Sequence, residues 1–246
     1  MKNEVSFSII VVTFNAVDVI DKTIKSIISQ SYENFEILCI DGLSTDNTVK
    51  VLNEHATDSR LKIFSEKDSG IYHAMNKGMD LAKGKYVLYL NAGDYFVSRS
   101  ILANVIQFLG KDVIVGNAIY KYHREDEIRN PQSLDNLWKG MTFNHQCAFY
   151  KLSTLRQFRF NLKYRISSVH EQTIRLAKSD RSFEFIDIPI SYYDPYGLSS
   201  IFTLWVRDYM RIVFINYPQK LVFIVPRVVV RYVRYLKRNL WNHFQL

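Results

Sequence analysis

The chain contains only two cysteines among its 246 residues, Cys39 and Cys147. Both lie in apolar, strand-like segments, which is typical of reduced thiols in the cytoplasm, although the sequence leaves a disulfide between them open. A secretory signal is also missing, because the apolar run from Phe7 to Val12 is short and then turns polar. No apolar stretch approaches the roughly 20 residues that a membrane-spanning helix needs. We therefore expect a cytoplasmic protein without a spanning helix.

Acidic residues are scarce at one end of the chain. Residues 201–246 hold eight basic residues and a single acid, Asp208, so this segment carries +7 of the total charge of +8. The sequence has no internal repeat and no low-complexity segment, and its length fits one domain with a tail. We predict a nearly neutral domain over residues 1–200 and a basic tail over residues 201–246.

Short apolar runs alternate with stretches of helical spacing along the first 90 residues. The predicted strands cover residues 7–12, 35–40, 61–64 and 86–90, and the predicted helices cover 17–29, 47–55 and 71–82. Strands that alternate with helices favour parallel βαβ units and a doubly wound α/β sheet. Beyond them we predict helices at 99–109 and 169–178, strands at 112–116, 145–150 and 183–193, and an irregular polar loop at 120–144.

Polar side chains follow the predicted strands at their carboxyl ends: Thr13, Asn15, Asp41, Asp68 and Asp94. Ligands of doubly wound sheets bind beyond these strand ends. The fourth strand runs into Asn91-Ala92-Gly93-Asp94, and small residues followed by a carboxylate allow a divalent cation and a diphosphate to approach the backbone closely. The pattern therefore predicts a nucleotide-diphosphate site at this edge.

Five segments carry a family resemblance: SIIVVTFN, CIDGLSTDNT, EKDSGIYHAMNKG, GKYVLYLNAGD and HQCAFY. In this order and spacing, over about residues 6–150 and more weakly to about 200, they resemble the inverting bacterial glycosyltransferases that build surface polysaccharides. The resemblance implies a GT-A-like, Rossmann-type, mostly parallel sheet flanked by helices. It also implies a nucleotide-diphosphate sugar as donor, with a UDP-sugar expected, and a saccharide or lipid-linked acceptor.

The resemblance places six residues at the nucleotide sugar: Thr13, Asn15, Asp41, Asp68, Asn76 and Asn91. Among them, Asp41 is expected to meet the base and Asp68 to approach the nucleoside. Asp94 would replace the family's Asp-X-Asp element as the ligand of Mg²⁺ or Mn²⁺. One carboxylate can suffice, because the diphosphate and water supply further oxygens.

Structural alternatives exist for several of these residues. Asp41 and Asp46 could cap the helix that follows them, since short polar side chains accept hydrogen bonds from a helix's first N–H groups. Asn76 could be a surface residue of its helix, and Asp94 could be a turn residue.

Inverting transfer requires a base that deprotonates the acceptor hydroxyl. By resemblance this base lies in an acidic pair that opens a helix, and here Val169 occupies the first acidic position and Glu171 the second. Valine cannot accept a proton, so Glu171 is the predicted base, with His170 as runner-up. The alternative is that Glu171 is favoured only by the helix dipole.

His145 and Gln146 are expected to face the acceptor, again by resemblance. A histidine in a strand could equally be a hydrogen-bonded core residue. His145 and His170 lie far apart with no cysteine near either, which does not suggest a zinc site.

In the tail, Arg227, Arg231, Arg234 and Arg238 are spaced as one face of a helix, with apolar and aromatic residues between them. This composition is typical of a helix that lies in a membrane interface. Each basic residue near an anionic surface contributes about 1 kcal/mol. We therefore expect peripheral binding at the inner face of the cell membrane. The alternative is a helix packed on the domain, and no nucleic-acid-binding motif is present.

The function expected from these features is sugar transfer in capsule, O-antigen or exopolysaccharide synthesis. Val169 and the single carboxylate at Asp94 keep an alternative open, which is an inactive glycosyltransferase-like partner in a membrane-bound assembly complex. A nucleotidyltransferase is disfavoured, because residues 13–16 lack the glycine-rich, basic character of a triphosphate loop.

Overall fold

A computed structural model describes residues 5–122, 125–195 and 202–243. The strands within them are β1 (Phe7–Thr13), β2 (Phe35–Asp41), β3 (Leu61–Ser65), β4 (Tyr86–Tyr89), β5 (Tyr95–Phe96), β6 (Val113–Tyr120), β7 (Glu127–Arg129), β8 (Ala148–Lys151) and β9 (Phe183–Tyr193). They form one mixed sheet in the order β3-β2-β1-β4-β8-β6-β9-β5, with β7 paired to β6.

Helices flank the sheet: α1 (Val17–Ile28), α2 (Thr48–Glu54), α3 (Ile71–Leu81), α4 (Ile101–Val105), α5 (Leu152–Leu155), α6 (Ser168–Ala177), α7 (Phe202–Asn216) and α8 (Leu221–His243). The strands β3, β2, β1 and β4 are parallel to one another, whereas β8 runs antiparallel to β4. This is the mostly parallel, helix-flanked sheet that the sequence predicts.

Two apolar layers form the core, one on each face of the sheet. Alternate residues of β1 belong to different layers: Ile9 and Val11 pack on the α1 side, and Ile10 packs against α3. Every residue of β1 and β2 is buried, which explains their continuous apolar sequence. Cys39 and Cys147 are both buried and free.

Three predicted elements differ from the structure. The helix expected over 99–109 is short, ends at Val105 and continues as a 3-10 turn (Ile106–Phe108). The strand expected at 145–150 begins as a 3-10 turn (His145–Cys147) before β8. The predicted loop at 120–144 contains, in its described part, β7 and a 3-10 helix (Leu134–Lys139).

The tail consists of two helices, and the first of them packs on the domain. On α7, Tyr209, Ile212 and Val213 are buried, and the Tyr209 hydroxyl donates to the Trp138 carbonyl at 2.9 Å. On α8, the guanidinium of Arg227 lies 5.7 Å from the Trp138 ring centroid. The packing alternative therefore holds for α7. The side chains of Arg231, Arg234 and Arg238 lie outside the described residues.

Candidate active site

The carboxyl ends of the parallel strands bring the predicted polar residues to one edge of the sheet. Thr13 pairs with Asp41, and Asp41 pairs with Ser65. On the other side of β1, the Ala92 amide donates to the Val12 carbonyl at 3.1 Å, so Asn91 and Ala92 lie beside Thr13. The predicted juxtaposition of strand ends is confirmed.

Asp41 organises the loop after β2. Its carboxylate is fully buried and accepts hydrogen bonds from the Ser44 amide at 2.9 Å, from the Ser44 hydroxyl, and from the Ser65 hydroxyl at 2.6 Å. These donors satisfy the hydrogen-bonding capacity of the buried carboxylate. Asp41 thus fixes the conformation of the loop after β2. This loop forms one wall of the site at the carboxyl ends of the parallel strands, called the strand-end site below.

Asn15 connects the first loop with the second. Its backbone has a positive φ of 46°, which asparagine tolerates better than most residues. The side-chain oxygen Oδ1 of Asn15 accepts from the Thr45 backbone amide at 2.9 Å. The backbone amide of Asn15 donates to Ser44 Oγ at 2.8 Å. The side chain of Asn15 therefore shapes the rim where the resemblance places the nucleotide.

Asp46 caps two helices. Its Oδ1 accepts from the amide of Thr48, the first residue of α2, at 2.8 Å, and its Oδ2 accepts from the amide of Val17, the first residue of α1, at 3.2 Å. This confirms the capping alternative for Asp46.

Asp68 lies against the same loop from the other side. A Cβ added to Gly42 would come within 2.8 Å of Asp68 Oδ2, so the glycine allows this close approach. The second oxygen of Asp68 accepts from the Gly70 amide at 2.8 Å, just before α3. The structure thus brings Asp68 next to the Asp41 loop, as the sequence predicts for two residues of one pocket.

Asn76 has a different place from the one expected by resemblance. It is buried, its amide nitrogen donates to the Phe160 carbonyl at 3.0 Å, and its Oδ1 accepts from the Phe160 amide at 3.1 Å. Because both ends of the side-chain amide bind backbone, Asn76 serves to fix the segment at Phe160 on α3. Neither the nucleotide role nor the surface alternative describes it.

Thr23 of α1 fixes the turn after β4 through two hydrogen bonds. The Gly93 amide donates to Thr23 Oγ1 at 3.0 Å, and Thr23 Oγ1 donates to the Asp94 carbonyl at 2.8 Å. Gly93 has φ +98°, a conformation that L side chains rarely adopt. The turn thereby places Asn91 at the strand-end edge and directs Asp94 inward.

Asp94 and Gln146 meet in the structure, although the sequence assigns them to the metal and the acceptor respectively. Gln146 Nε2 donates to Asp94 Oδ2 at 2.9 Å, and both residues are buried. Burial raises the pKa of Asp94 to about 7, while the bond from Gln146 opposes the rise. Next to Gln146, burial lowers the pKa of His145 to about 4.

Buried oxygen atoms without a hydrogen-bond partner are the atoms that could coordinate a divalent cation at this site. Within the described ranges, Thr13 Oγ1, Asn91 Oδ1 and Gln146 Oε1 are buried without a hydrogen bond. Over the same ranges no group of three or more histidine, cysteine or acidic residues could hold a metal. These oxygens with Asp94 suit Mg²⁺ or Mn²⁺ only when a diphosphate completes the coordination.

The Glu171 carboxylate is paired with an arginine of its own helix. Its two carboxylate oxygens accept from Arg175 Nε at 2.9 Å and Arg175 Nη2 at 3.0 Å, one helical turn further along α6. Arg175 also donates to the Arg159 carbonyl at 2.6 Å. Glu171 thus forms a bidentate, partly buried ion pair within α6, and its assignment as the base stays a prediction.

His170 is no better placed as a base. Its Nε2 lies 2.7 Å from the Leu137 carbonyl oxygen and therefore donates to it, and its ring packs near Tyr209. Burial lowers the pKa of His170 to about 4. Val169 packs in the apolar core.

The sequence profile described as Glycosyl transferase family 2 matches residues 8–171, which is two thirds of the chain. The chain belongs to glycosyl transferase family 2. A glycosyltransferase named for PGL/p-HBAD biosynthesis in Mycobacterium bovis is 31% identical over 201 residues, covering 78% of this chain and 77% of the relative. The Escherichia coli protein WfaP, a UDP-Glc:alpha-D-GlcNAc-diphosphoundecaprenol beta-1,3-glucosyltransferase, is 35% identical over 102 residues, or 42% of this chain and 40% of WfaP.

Solved structures show the same fold. A TarS structure from S. aureus superposes with a TM-score of 0.67 at 19% identity, covering 86% of this chain and 65% of that one. The mannosyltransferase PcManGT from Pyrobaculum calidifontis, solved with GDP-Man and Mn²⁺, has a TM-score of 0.64 at 18% identity, covering 82% and 61%. The chain thus spans less than two thirds of the length of these solved chains. The GT-A fold predicted from the resemblance is confirmed.

Several residues that shape the site were missed in the sequence. Ser44 and Ser65 hold Asp41, Thr23 holds the turn at Gly93, and Thr48 Oγ1 accepts from the Ala16 amide at 2.8 Å. The dense hydroxyl and amide composition of LSTDNT was a usable signal for a rigid loop. Thr23 gave no such signal, because it lies among the apolar residues that define the helical pattern of α1.

Proposed function

We propose that this protein transfers a sugar from a nucleotide-diphosphate sugar, with a UDP-sugar as first choice, to a hydroxyl of a lipid-linked saccharide acceptor. Transfer proceeds with inversion, in the synthesis of a capsule, O-antigen, exopolysaccharide or related glycolipid. The observation that carries the proposal is the strand-end cluster of Thr13, Asn15, Asp41 and Asp68 beside the turn at Asn91. The names of the relatives support it, since they describe glycolipid synthesis and a diphosphoundecaprenol-linked acceptor.

The donor's diphosphate is assigned to the turn after β4. Asn91 and Thr13 present buried oxygens without partners in the part of the chain that the structure describes, and Gly93 keeps the backbone open. Mg²⁺ or Mn²⁺ bound with the diphosphate supplies Lewis-acid stabilisation of the leaving group. Asp94, which is buried and whose pKa burial raises to about 7, is the carboxylate available to this cation. Gln146 orients it by donating to Oδ2.

The test is calorimetric titration with UDP, GDP and dTDP, each with and without Mn²⁺. We expect one nucleotide to bind with cation dependence, and Asp94→Asn to abolish the cation dependence while the fold remains intact. Asp180→Asn, at an exposed position outside the site, is the matched control. Absence of binding by every nucleotide would refute the donor assignment.

One observation favours the alternative of an inactive glycosyltransferase-like partner. Val169 is buried in the core, and Glu171 is engaged by Arg175. A turnover assay distinguishes the two proposals. An active enzyme forms UDP from a UDP-sugar when an acceptor lipid extract is added. An inactive partner binds the UDP-sugar but forms no UDP from it.

We also propose that the tail binds an anionic membrane surface. In the described residues no single helix has the length and apolar character to cross a membrane, but Leu204–Asn216 with Pro218–Val230, bent by 116°, meets both criteria as a pair. Large apolar side chains on this pair are exposed, including Phe214, Ile215, Val222, Phe223 and Val225. Apolar surface beside basic residues is the composition of an interfacial helix.

Co-sedimentation with anionic liposomes tests this location in the full-length protein. Phe223→Ser should reduce the bound fraction, because Phe223 is 58% exposed on α8. Ile128→Ser is the matched control, because Ile128 is 59% exposed on β7. An equal loss in both variants, or in neither, would contradict the role of the tail.

A further inference from the structure

A cavity of about 500 Å³ lies between the start of α3, the segment before α6 and the side of α7. Three of its ten lining residues are cationic, namely Lys163, Arg165 and Arg207, and none carries a carboxylate. The cavity begins at Ser69, next to Asp68, so it adjoins the strand-end site. None of the residues assigned to the donor lines it.

Two of the three cations of this cavity, Lys163 and Arg165, lack an ion pair in the described part of the chain. Arg207 forms a long one, with its Nη2 3.7 Å from Asp208 Oδ1, which is beyond hydrogen-bond distance. All three side chains belong to exposed residues, so they are free to turn toward a ligand.

The carboxylates around the cavity lie outside its lining. Asp208 is fully buried: its Oδ2 accepts from the Ile166 amide at 2.9 Å, and its Oδ1, which faces Arg207, has no hydrogen-bond partner among the described residues. Glu171 is held by Arg175, and Asp68 accepts from the Gly70 amide. The open face of the cavity is therefore electropositive, and the N-terminus of the 11-residue helix α3 adds the positive end of its dipole.

The position of Arg207 relates the cavity to the apolar tail. Phe214, which is 67% exposed, follows it by seven residues on α7, a rise of about 10 Å along the helix. If the exposed face of α7 and α8 lies in a bilayer interface, the cavity lies about one headgroup layer above it. An anion attached to a lipid can then reach Lys163, Arg165 and Arg207.

We propose that this cavity binds the diphosphate of the lipid-linked acceptor. The inference rests on the proposed function and names a subsite for its second substrate. Two arginine forks and a lysine match the oxygens of two phosphate groups. The strand-end site adjoins the cavity at Ser69. A sugar attached to a diphosphate in the cavity would therefore extend past Ser69 toward the donor.

The experiment compares full-length wild type with Arg165→Gln/Arg207→Gln. Farnesyl diphosphate, a short lipid diphosphate, is titrated below its micelle concentration, and UDP with Mn²⁺ is titrated separately. We expect the double variant to bind farnesyl diphosphate at least about tenfold more weakly, since charge-assisted hydrogen bonds are lost. Its UDP affinity should change by no more than about twofold, as for an ordinary surface charge. Arg181→Gln, beside Asp112, is the control and should bind both ligands as wild type does.

Two results would overturn the subsite. One is equal binding of farnesyl diphosphate by wild type and the double variant, including no binding by either. The other is a parallel loss of UDP affinity, which would assign the cavity to the donor's diphosphate. Inorganic pyrophosphate, titrated in the same series, separates recognition of the diphosphate from recognition of the lipid. Failure of the proposed function is distinguishable, because wild type would then not bind UDP.

Discussion

The buried His170 should contribute a loss of stability as the pH falls from 7.5 to 4.5. Burial lowers the pKa of this histidine from 6.5 to about 4 in the folded state. Above pH 6.5 the ring is neutral in both the folded and the unfolded chain, so it has no effect on stability. Below pH 6.5 the unfolded chain takes up a proton that the folded protein resists, and folding loses free energy until the pH reaches about 4.

The size of this effect follows from the two pKa values. One pKa unit corresponds to about 1.4 kcal/mol, so the full effect is about 3 kcal/mol, of which about 2.5 kcal/mol develops between pH 7.5 and pH 4.5. His170→Gln should be less stable than wild type at pH 7.5 by about 1–3 kcal/mol, because the bond to the Leu137 carbonyl is weakened or lost. At pH 4.5 this difference should shrink or reverse, because glutamine does not titrate.

Urea unfolding followed by tryptophan fluorescence at both pH values measures the difference between wild type and variant. His55→Gln is the control, because the partly buried His55 lies beside the carboxylate of Asp21 and should not reproduce the change. A difference between wild type and His170→Gln that stays constant within about 0.5 kcal/mol from pH 7.5 to pH 4.5 would refute the reasoning. It would mean that His170 is accessible to protons in the folded state, as a catalytic base must be.

Three further predictions concern side chains that the structure places differently or more tightly than the sequence suggests. Asn76→Ala should lower the free energy of unfolding by about 2–4 kcal/mol, because two backbone groups of Phe160 lose their hydrogen-bond partners. A loss of less than about 1 kcal/mol, measured by denaturant unfolding, would contradict this. Glu171→Gln should reduce the melting temperature, because Arg175 loses a charged partner. An unchanged melting temperature together with a large fall in turnover would return Glu171 to the role of base. Gly84→Ala should destabilise by about 2–3 kcal/mol, because its Cβ would lie 2.4 Å from the Ser8 backbone nitrogen; Lys83→Ala, an exposed neighbour, is the comparison and should unfold as wild type does.

Local sequence patterns are enough to predict the α/β class, the order of the first elements and the residues at the strand ends. Apolar runs such as Phe7 to Val12 are fully buried strands because both faces of a parallel sheet are covered, and this leaves a local signal. Asp41 comes at the end of such a run, so its place at the edge followed once the strands were parallel. Even β9 was predicted with its observed bounds.

The packing of distant segments determines which polar side chains are available for chemistry. Glu171 and His170 have the right types for a base, but their partners are Arg175 and the Leu137 carbonyl. Asn76 matches a family motif, yet its partner Phe160 is 84 residues away. Periodicity reports which face of an element is buried, and it contains no information about which distant group pairs with a polar atom on that face. That choice arises when the helices pack on the sheet, and here it determines which carboxylates and imidazoles remain free to react.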